Sequence, residues 1–358
     1  MVPVRYGMIG FGGIAENRIA KEGFGLDSKR FTPHPRAQLC GACDQNPARR
    51  SAAEALGVEW YDDTDSLISD SHIEAILVAT NNRTHASLAK KALLAGKHVF
   101  LEKPAGVTEV EIKELVDLAQ AKGLSLIVDH MMTKNSYNLL AREMVRGKAI
   151  GRLEHLVLHM EFPFGIESSE AATWRCADPG ELGGPIGDVG SHCFYMAEFL
   201  SDDNIVSLQC TYTPKHLSIA VEDGAVIHFT TQKGMTGTIR VAFDQPRGGL
   251  TTTLQNLGYE LYGSEGAIFA RTTLFQLSGH ADEPVGLTLE SMQGSYHQKH
   301  TLGQVQNIYQ SQIDEHVQSI RSGNRLSGLD ALHNLQLILL AHASAKAGGT
   351  SLSSPQTN

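Results

Sequence analysis

Residues 4–15 read Val-Arg-Tyr-Gly-Met-Ile-Gly-Phe-Gly-Gly-Ile-Ala, and they contain the most informative pattern in the sequence. Val4–Gly10 is mostly apolar and predicts a buried strand, after which the chain turns through glycines into a helix. A G-x-G-x-x-A pattern between a strand and a helix is typical of turns that hold a dinucleotide pyrophosphate against helical N–H groups. The residues of this predicted cofactor turn are Gly10, Phe11, Gly12, Gly13 and Ile14, followed by Ala15.

Strands and helices alternate from this turn to Asp129, and the strands are continuously apolar. This pattern is typical of a parallel sheet covered on both faces, and it predicts an α/β, doubly wound Rossmann domain. Lys21–Pro35 is polar and contains glycines and prolines, so it predicts a loop insertion. Further strands are predicted at Ala37–Cys43, Ile73–Ala79, Lys97–Leu101 and Leu124–Val128, and helices at Pro47–Leu56, Thr84–Ala95 and Thr108–Ala121.

The pattern changes after Asp129, because later segments such as Leu153–Phe162 alternate apolar and polar residues. We therefore predict two domains, residues 1–129 and residues 130–358, the second an α+β domain with a mostly antiparallel sheet. The tail Gly348–Asn358 is expected to fray. Other strands are predicted at Val206–Tyr212, Ala225–Thr231, Thr236–Phe243 and Thr251–Tyr262, and helices at Asn138–Arg146, Gly187–Leu200, Gln304–Arg321 and Leu329–Ala345.

The composition argues against several classes of protein. The 358 residues include 30 Lys and Arg against 39 Asp and Glu, and this net charge of −9 does not suggest a nucleic-acid partner. No apolar run reaches the roughly 20 residues that span a bilayer, and no signal peptide is evident, so we expect a cytoplasmic protein without a membrane partner. Five cysteines do not suggest a disulfide framework, and no metal site is predicted.

Asp44 directly follows the second predicted strand. An acidic residue there accepts hydrogen bonds from the adenosine ribose and repels a 2′-phosphate, which favours NAD over NADP. Arg49 and Arg50 follow closely, and an arginine in this region accommodates a 2′-phosphate, so NADP stays possible. The alternative for both arginines is a solvated helix face.

Polar residues also follow the third and fourth predicted strands, and ligands bind parallel sheets beyond the carboxyl ends of strands. The residues expected to line the cofactor there are Thr80, Asn81, His85, Glu102 and Lys103. Lys103 is a compact cation that can bond a substrate hydroxyl and stabilise developing negative charge. For His85, packing at a helix N-terminus is the alternative.

The segment from Gly183 to His192 reads Gly-Gly-Pro-Ile-Gly-Asp-Val-Gly-Ser-His and predicts a helix beginning near Asp188. Asp188 and His192 are four residues apart and therefore share a helical face. A carboxylate beside an imidazole can orient it, an arrangement that suits a general base. The alternative is a helix-capping aspartate and a packed histidine.

Taken together, these segments resemble the Gfo/Idh/MocA oxidoreductases, which include glucose–fructose oxidoreductase and inositol dehydrogenase. The resemblance covers nearly the whole chain, but Asn81 stands where members usually have proline, and Phe24–Pro35 is not typical. It rests on the glycine turn, Thr80 to His85, Lys97 to Pro104, Gly184 to His192, Tyr262 to Gly266 and Ser319 to Gly323.

This resemblance implies an NAD(P)-dependent oxidation or reduction of a sugar, inositol or related polyol bound between the two domains. It implies that Lys103, Asp188 and His192 are catalytic, with His192 as the base. Trp174 and Arg175 are expected to contact the sugar or to have structural roles. A large open sheet in the second domain often forms an oligomer interface in the family, so a homodimer or homotetramer is expected.

Three other functions stay open at this point. One is a non-catalytic nucleotide-binding sensor of the same fold. Another is an NAD-dependent glycosidase, in which the cofactor is reduced and reoxidised within one cycle. The third is a reductase of a non-sugar substrate such as an imine or a dihydrodiol.

Overall fold

The computed structural model describes residues 2–245, 256–274 and 286–355, and its chain divides into two units. The first unit comprises residues 2–131 and 306–332, and the second comprises residues 132–274, 286–305 and 333–355. The predicted division after residue 129 lies close to the first boundary. The sequence did not predict that residues 306–332 belong to the first unit, because they follow the second unit in the chain.

The sheet of the first unit has six parallel strands in the order β3-β2-β1-β4-β5-β6, which confirms the doubly wound Rossmann arrangement. All four residues of β4 are buried, as expected for a strand covered on both faces. The strand β3 and the helix Thr64–Ser69 were not predicted, because a strand of two residues and a helix of six residues are too short to show a periodic pattern. The strands are β1 (Val4–Ile9), β2 (Ala37–Cys43), β3 (Glu59–Trp60), β4 (Ala75–Val78), β5 (His98–Leu101) and β6 (Leu126–Val128).

Three helices of the first unit begin after a residue whose side chain caps them, namely Asp63, Thr108 and Asn307. The hydroxyl of Thr108 accepts the backbone N–H of Glu111 at 3.4 Å and donates to the Glu111 carboxylate at 2.6 Å. The helix after the glycine turn contains π-type turns, in which backbone hydrogen bonds join residues five apart instead of four apart. The helices are Ala15–Gly23, Arg50–Ala55, Thr64–Ser69, Asn82–Leu94, Glu109–Lys122 and Ile308–Ser322.

The predicted loop insertion Lys21–Pro35 begins later than expected, because the preceding helix continues to Gly23. Phe24 is only 2% exposed, and its backbone carbonyl accepts the N–H of His34 at 3.0 Å. The His34 ring nitrogen Nε2 lies 3.3 Å from a main-chain carbonyl of the helix Ile308–Ser322. The insertion therefore packs against a helix that the sequence supplies almost three hundred residues later.

The second unit contains a nine-stranded sheet in the order β14-β13-β12-β11-β7-β10-β9-β8-β15. Only β7 and β10 pair in parallel, so the prediction of a mostly antiparallel sheet is confirmed for the described residues. The strands are β7 (Leu153–Glu161), β8 (Ile205–Tyr212), β9 (Gly224–Thr231), β10 (Thr236–Ala242), β11 (Asn256–Gly263), β12 (Ala267–Arg271), β13 (Thr288–Gln293), β14 (Tyr296–His300) and β15 (Leu352–Ser353).

Two predictions about this sheet need comment. The tail does not simply fray, because Leu352 and Ser353 pair with β8, and their main-chain groups complete its edge. The predicted strand Thr251–Tyr262 is observed from Asn256 onward, and residues 251–255 lie outside the described residues, as do residues 356–358 of the tail.

Helices cover one face of this sheet. Leu156 and Leu158 of β7 are fully buried on that face, while His155 on the opposite face contacts the hydroxyl of Thr236 at 2.9 Å. Every helix in the described ranges falls short of a membrane span in length or in apolar character. The main helices of this unit are Ser136–Arg146, Ser191–Ser201 and Leu329–Lys346, the last beginning in the first unit.

Candidate active site

The glycine turn lies at the carboxyl end of β1, between β2 and β4. Gly10 has φ +89°, and a Cβ there would lie 2.5 Å from the carbonyl oxygen of Ala79, so only glycine fits this bend. Around Gly12 and Gly13, by contrast, a Cβ would meet no atom within 4 Å. This open backbone, at the start of a helix, has the shape and N–H groups that a pyrophosphate requires.

Asp44 links the end of β2 to this turn. Its Oδ2 accepts the backbone N–H of Phe11 at 2.7 Å, and its Oδ1 accepts that of Asn46 at 2.8 Å. Phe11 is fully buried and its N–H is already bonded, so it shapes the turn, whereas Ile14 is 39% exposed beside it. The carboxylate is partly exposed and retains lone pairs for a ribose hydroxyl.

Thr80 and Asn81 follow β4, next to the glycine turn. The hydroxyl of Thr80 lies 2.7 Å from that of Thr84, at the start of the helix Asn82–Leu94. Thr80 and Asn81 are partly exposed at this edge of the sheet. Their predicted contact with the cofactor is compatible with this position and stays a prediction.

His85 is only 1% exposed, and both of its ring nitrogens face main-chain carbonyls. Nδ1 lies 2.8 Å from the oxygen of Pro104, and Nε2 lies 3.0 Å from that of Thr80. Burial lowers the pKa of His85 to about 4, so the ring is neutral at physiological pH. His85 therefore connects the segments that follow β4 and β5, and its predicted contact with the cofactor stays a prediction.

Glu102-Lys103-Pro104 follows β5, as predicted. The Lys103–Pro104 peptide bond is cis, and Glu102 is 9% exposed. The Glu102 Oε2 accepts the backbone N–H of Lys103 at 3.1 Å. Lys103 itself is partly exposed at the carboxyl edge of the sheet that also carries the glycine turn.

In the second unit, the predicted motif starts with π-type helical turns over Ile186–Gly190 and continues as the helix Ser191–Ser201. Two glycines allow the preceding segment to pack closely. A Cβ on Gly183 would lie 2.3 Å from the carbonyl oxygen of Arg175, and one on Gly187 would lie 1.8 Å from that of Leu182. The motif can therefore adopt this path only with glycine at both positions.

Asp188 lies beside the two residues predicted to contact substrate. Its Oδ1 lies 3.4 Å from Nε of Arg175, and the guanidinium of Arg175 lies 4.4 Å from the ring centroid of Trp174. Trp174 and Arg175 begin a short helix, Trp174–Ala177. The structure thus brings together a carboxylate, a guanidinium and an aromatic face, which are groups suited to a polyhydroxylated ligand.

His192 is 4% exposed, and its Nδ1 lies 2.6 Å from the hydroxyl oxygen of Tyr195. The two residues are three apart on the helix Ser191–Ser201, which places them on one face. Tyr195 was missed by sequence reasoning, although this spacing was the available signal. A hydrogen bond at Nδ1 fixes the orientation and tautomer of an imidazole that reacts through Nε2.

Glu222 is a second residue that sequence reasoning missed. Its Oε1 accepts the backbone N–H of Ile186 at 2.9 Å, at the first turn of the segment that carries Asp188. A Cβ on Gly184 would lie 2.7 Å from the same carboxylate oxygen. Burial raises the pKa of Glu222 to about 7. No local sequence pattern marks this residue, because it lies just before β9, 36 residues along the chain from the N–H that it accepts.

Comparison with known families agrees with both units. Residues 4–130 match the oxidoreductase family, NAD-binding Rossmann fold, and residues 138–269 match the GFO/IDH/MocA C-terminal domain. The chain belongs to the Gfo/Idh/MocA family. The predictions of an oxidoreductase and of an NAD-binding Rossmann domain are therefore confirmed.

Other members of the family show similarity along most of the chain. The 1,5-anhydro-D-fructose reductase of Ensifer adhaerens is 26% identical over 294 residues, which is 81% of each chain. A levoglucosan dehydrogenase solved with NADH and levoglucosan has a TM-score of 0.82 at 19% identity and covers 99% of this chain and 100% of its own. An aldose-aldose oxidoreductase from Caulobacter crescentus, solved with glycerol, has a TM-score of 0.83 at 19% identity, over 98% and 99% of the chains.

Proposed function

We propose that the protein transfers a hydride between NAD(P) and a secondary alcohol or ketone of a sugar, inositol or related polyol, with NAD preferred. The observation that carries this proposal is the open turn at Gly12 and Gly13, which shares one sheet edge with Lys103. Further support comes from relatives that are named for sugar derivatives, a 1,5-anhydro-D-fructose reductase and a levoglucosan dehydrogenase.

The residues at the sheet edge fit a dinucleotide. Gly12 and Gly13 leave the backbone open for the pyrophosphate, and the following helix directs its first N–H groups there. Asp44 supplies acceptor oxygens for the adenosine ribose. When bound, the nicotinamide supplies the carbon that accepts or donates the hydride.

The side chains of this chain handle the proton and the substrate oxygen. In the oxidative direction His192 takes the hydroxyl proton as general base while the hydride leaves the same carbon, and the product is a ketone. Lys103 donates a hydrogen bond to that oxygen and stabilises its developing charge. Asp188 orients His192 or holds a neighbouring hydroxyl of the substrate, while Arg175 contacts other hydroxyls and Trp174 covers the sugar face.

The reaction is tested with a panel of cyclic polyols and sugars. Oxidation is measured as the rise in NADH absorbance when NAD is supplied, and reduction as the fall in that absorbance when NADH and the corresponding ketones are supplied. We expect turnover with at least one member of the panel. Intact NAD binding with no turnover would favour the non-catalytic sensor instead. Release of a reducing sugar without net NADH would favour the glycosidase.

The residue roles are tested by substitution. We expect His192→Ala to lower kcat by about 10²–10⁴-fold without changing the Kd for NAD. The control His72→Ala removes an exposed histidine and should leave kcat unchanged. If Lys103 and His192 act on one oxygen, the double variant with Lys103→Met should lose less activity than the product of the two single losses. Unchanged kcat in His192→Ala would exclude His192 as the base.

The protein is also expected to be a cytoplasmic homodimer or homotetramer. The face of the nine-stranded sheet away from the helices carries polar side chains, including His155, His228 and Arg240. Copies of the chain would associate through this face. Light scattering of the purified protein measures the assembly directly, and a monomeric mass would contradict it.

A further inference from the structure

The side chains of Glu16, Lys21 and Arg49 form a charged network beside the glycine turn, and the first two lie on the helix Ala15–Gly23. Glu16 lies in the first turn of that helix, and its Oε1 accepts a hydrogen bond from Lys21 Nζ at 2.6 Å. Its other carboxylate oxygen, Oε2, pairs with the guanidinium of Arg49. Glu16 is thus shared between two cations, one from its own helix and one from the segment that follows β2.

Arg49 is also bonded to the glycine turn. Its Nε donates to the carbonyl oxygen of Phe11 at 2.6 Å. Asp44 accepts the N–H of the same residue, so Asp44 and Arg49 hold the two main-chain groups of Phe11. Arg49 therefore lies next to the residue that meets the adenosine ribose in folds of this kind, and the solvated helix face considered from the sequence does not describe it.

The adenosine ribose is where NADP differs from NAD, by a 2′-phosphate with a charge of about −1.5 to −2. An arginine is the side chain best suited to this group, because its planar fork of donors matches phosphate oxygens. In this chain that fork already serves two acceptors, a main-chain carbonyl and a carboxylate. A 2′-phosphate would have to compete with Glu16 for the same guanidinium.

The carboxylate of Glu16 is well suited to hold this position. The hydrogen bond from Lys21 and, after it, the one from Arg49 lower the pKa of Glu16, so the group is ionised across the neutral range. Its side chain is only 18% exposed, which limits screening of the pair by solvent. By contrast, the neighbouring pair Arg50–Glu54 has both side chains more than half exposed.

We infer that Glu16 is a specificity-determining residue, which holds Arg49 against the glycine turn and thereby favours NAD over NADP. Glu16 acts in two ways on a 2′-phosphate. It occupies donors of the guanidinium, and its own negative charge repels the phosphate. The inference deepens the proposed function, because it concerns the dinucleotide that hydride transfer uses.

Dissociation constants of the full-length protein for NAD and NADP, measured by calorimetry, test this inference. We expect Glu16→Gln to tighten NADP binding about tenfold, the effect of releasing one charge-assisted hydrogen bond, while the Kd for NAD changes less than about twofold. Glu54→Gln is the matched control, because it removes the same charge from the exposed pair with Arg50 and should leave both constants unchanged.

A double variant identifies the cation involved. Adding Arg49→Gln to Glu16→Gln should remove most of the gain in NADP affinity and leave only the part that comes from relief of the Glu16 charge, while Arg49→Gln alone should not weaken NADP binding, since Arg49 is already engaged. A gain that is undiminished in the double variant would exclude Arg49 and overturn the inference, as would an unchanged NADP to NAD ratio in Glu16→Gln. Wild-type protein that binds neither dinucleotide would refute the proposed function as well, and NAD binding without a change in the ratio would refute the inference alone.

Discussion

Replacing Glu222 with glutamine should change how the stability of the protein depends on pH. Burial raises the pKa of this carboxyl from 4.5 to about 7, although the neighbouring Lys215 opposes the rise. Since the folded state binds the proton more tightly than the unfolded state, the stabilising contribution of Glu222 is complete below about pH 4.5 and is lost as pH rises to about 7. At 1.36 kcal/mol per pH unit, the loss amounts to about 3 kcal/mol in the free energy of unfolding.

Glutamine keeps the oxygen that accepts the N–H of Ile186 but cannot ionise, so it mimics the protonated carboxyl. We expect Glu222→Gln to be more stable than the wild type at pH 8 by up to about 3 kcal/mol and to match it near pH 4.5. Urea unfolding of both proteins at several pH values measures the difference, because all other titrating groups are common to both. Glu54→Gln serves as the control at an exposed site. Parallel stability curves for wild type and Glu222→Gln would refute the reasoning.

Two further outcomes follow from contacts near His192. Gly187→Ala should lower the melting temperature clearly, with a cost of at least about 2 kcal/mol, because the new Cβ would lie 1.8 Å from the carbonyl oxygen of Leu182. Gly303→Ala, where a Cβ meets no atom within 4 Å, should leave the melting temperature unchanged in the same thermal scan. Equal melting temperatures for Gly187→Ala and Gly303→Ala would contradict the packing argument. Tyr195→Phe should lower kcat about tenfold with little change in the Kd for NAD, because it removes the hydrogen bond to Nδ1; unchanged kcat would show that Tyr195 does not orient the ring.

The features that were predictable from the sequence depend on neighbours in the chain. The glycine turn lies between a strand and a helix within one short segment, and Thr108 caps its helix through the N–H of Glu111, within one helical turn. The buried strand Ala75–Val78 is continuously apolar because both of its faces are covered. Patterns of this kind need no knowledge of the rest of the molecule.

The features that could not be predicted depend on distant residues. Arg49 meets the carbonyl of Phe11 from 38 residues away, and Glu222 meets the N–H of Ile186 from 36 residues away. The parallel pairing of β7 with β10 likewise has no local signature, because it brings together strands that other strands and helices separate in the chain. Side chains that orient a site can come from any element, so their identity follows only from the fold.

The return of residues 306–332 to the first unit has a consequence for biosynthesis. The Rossmann sheet is translated by residue 128, but the helix against which His34 packs emerges only after residue 322. At about 5–20 residues per second, the ribosome needs roughly 10–40 s to cover that interval. During this time the apolar surface that this helix covers with Ile313 and Val317 stays exposed on the nascent chain, and exposed surface of this kind is prone to aggregation.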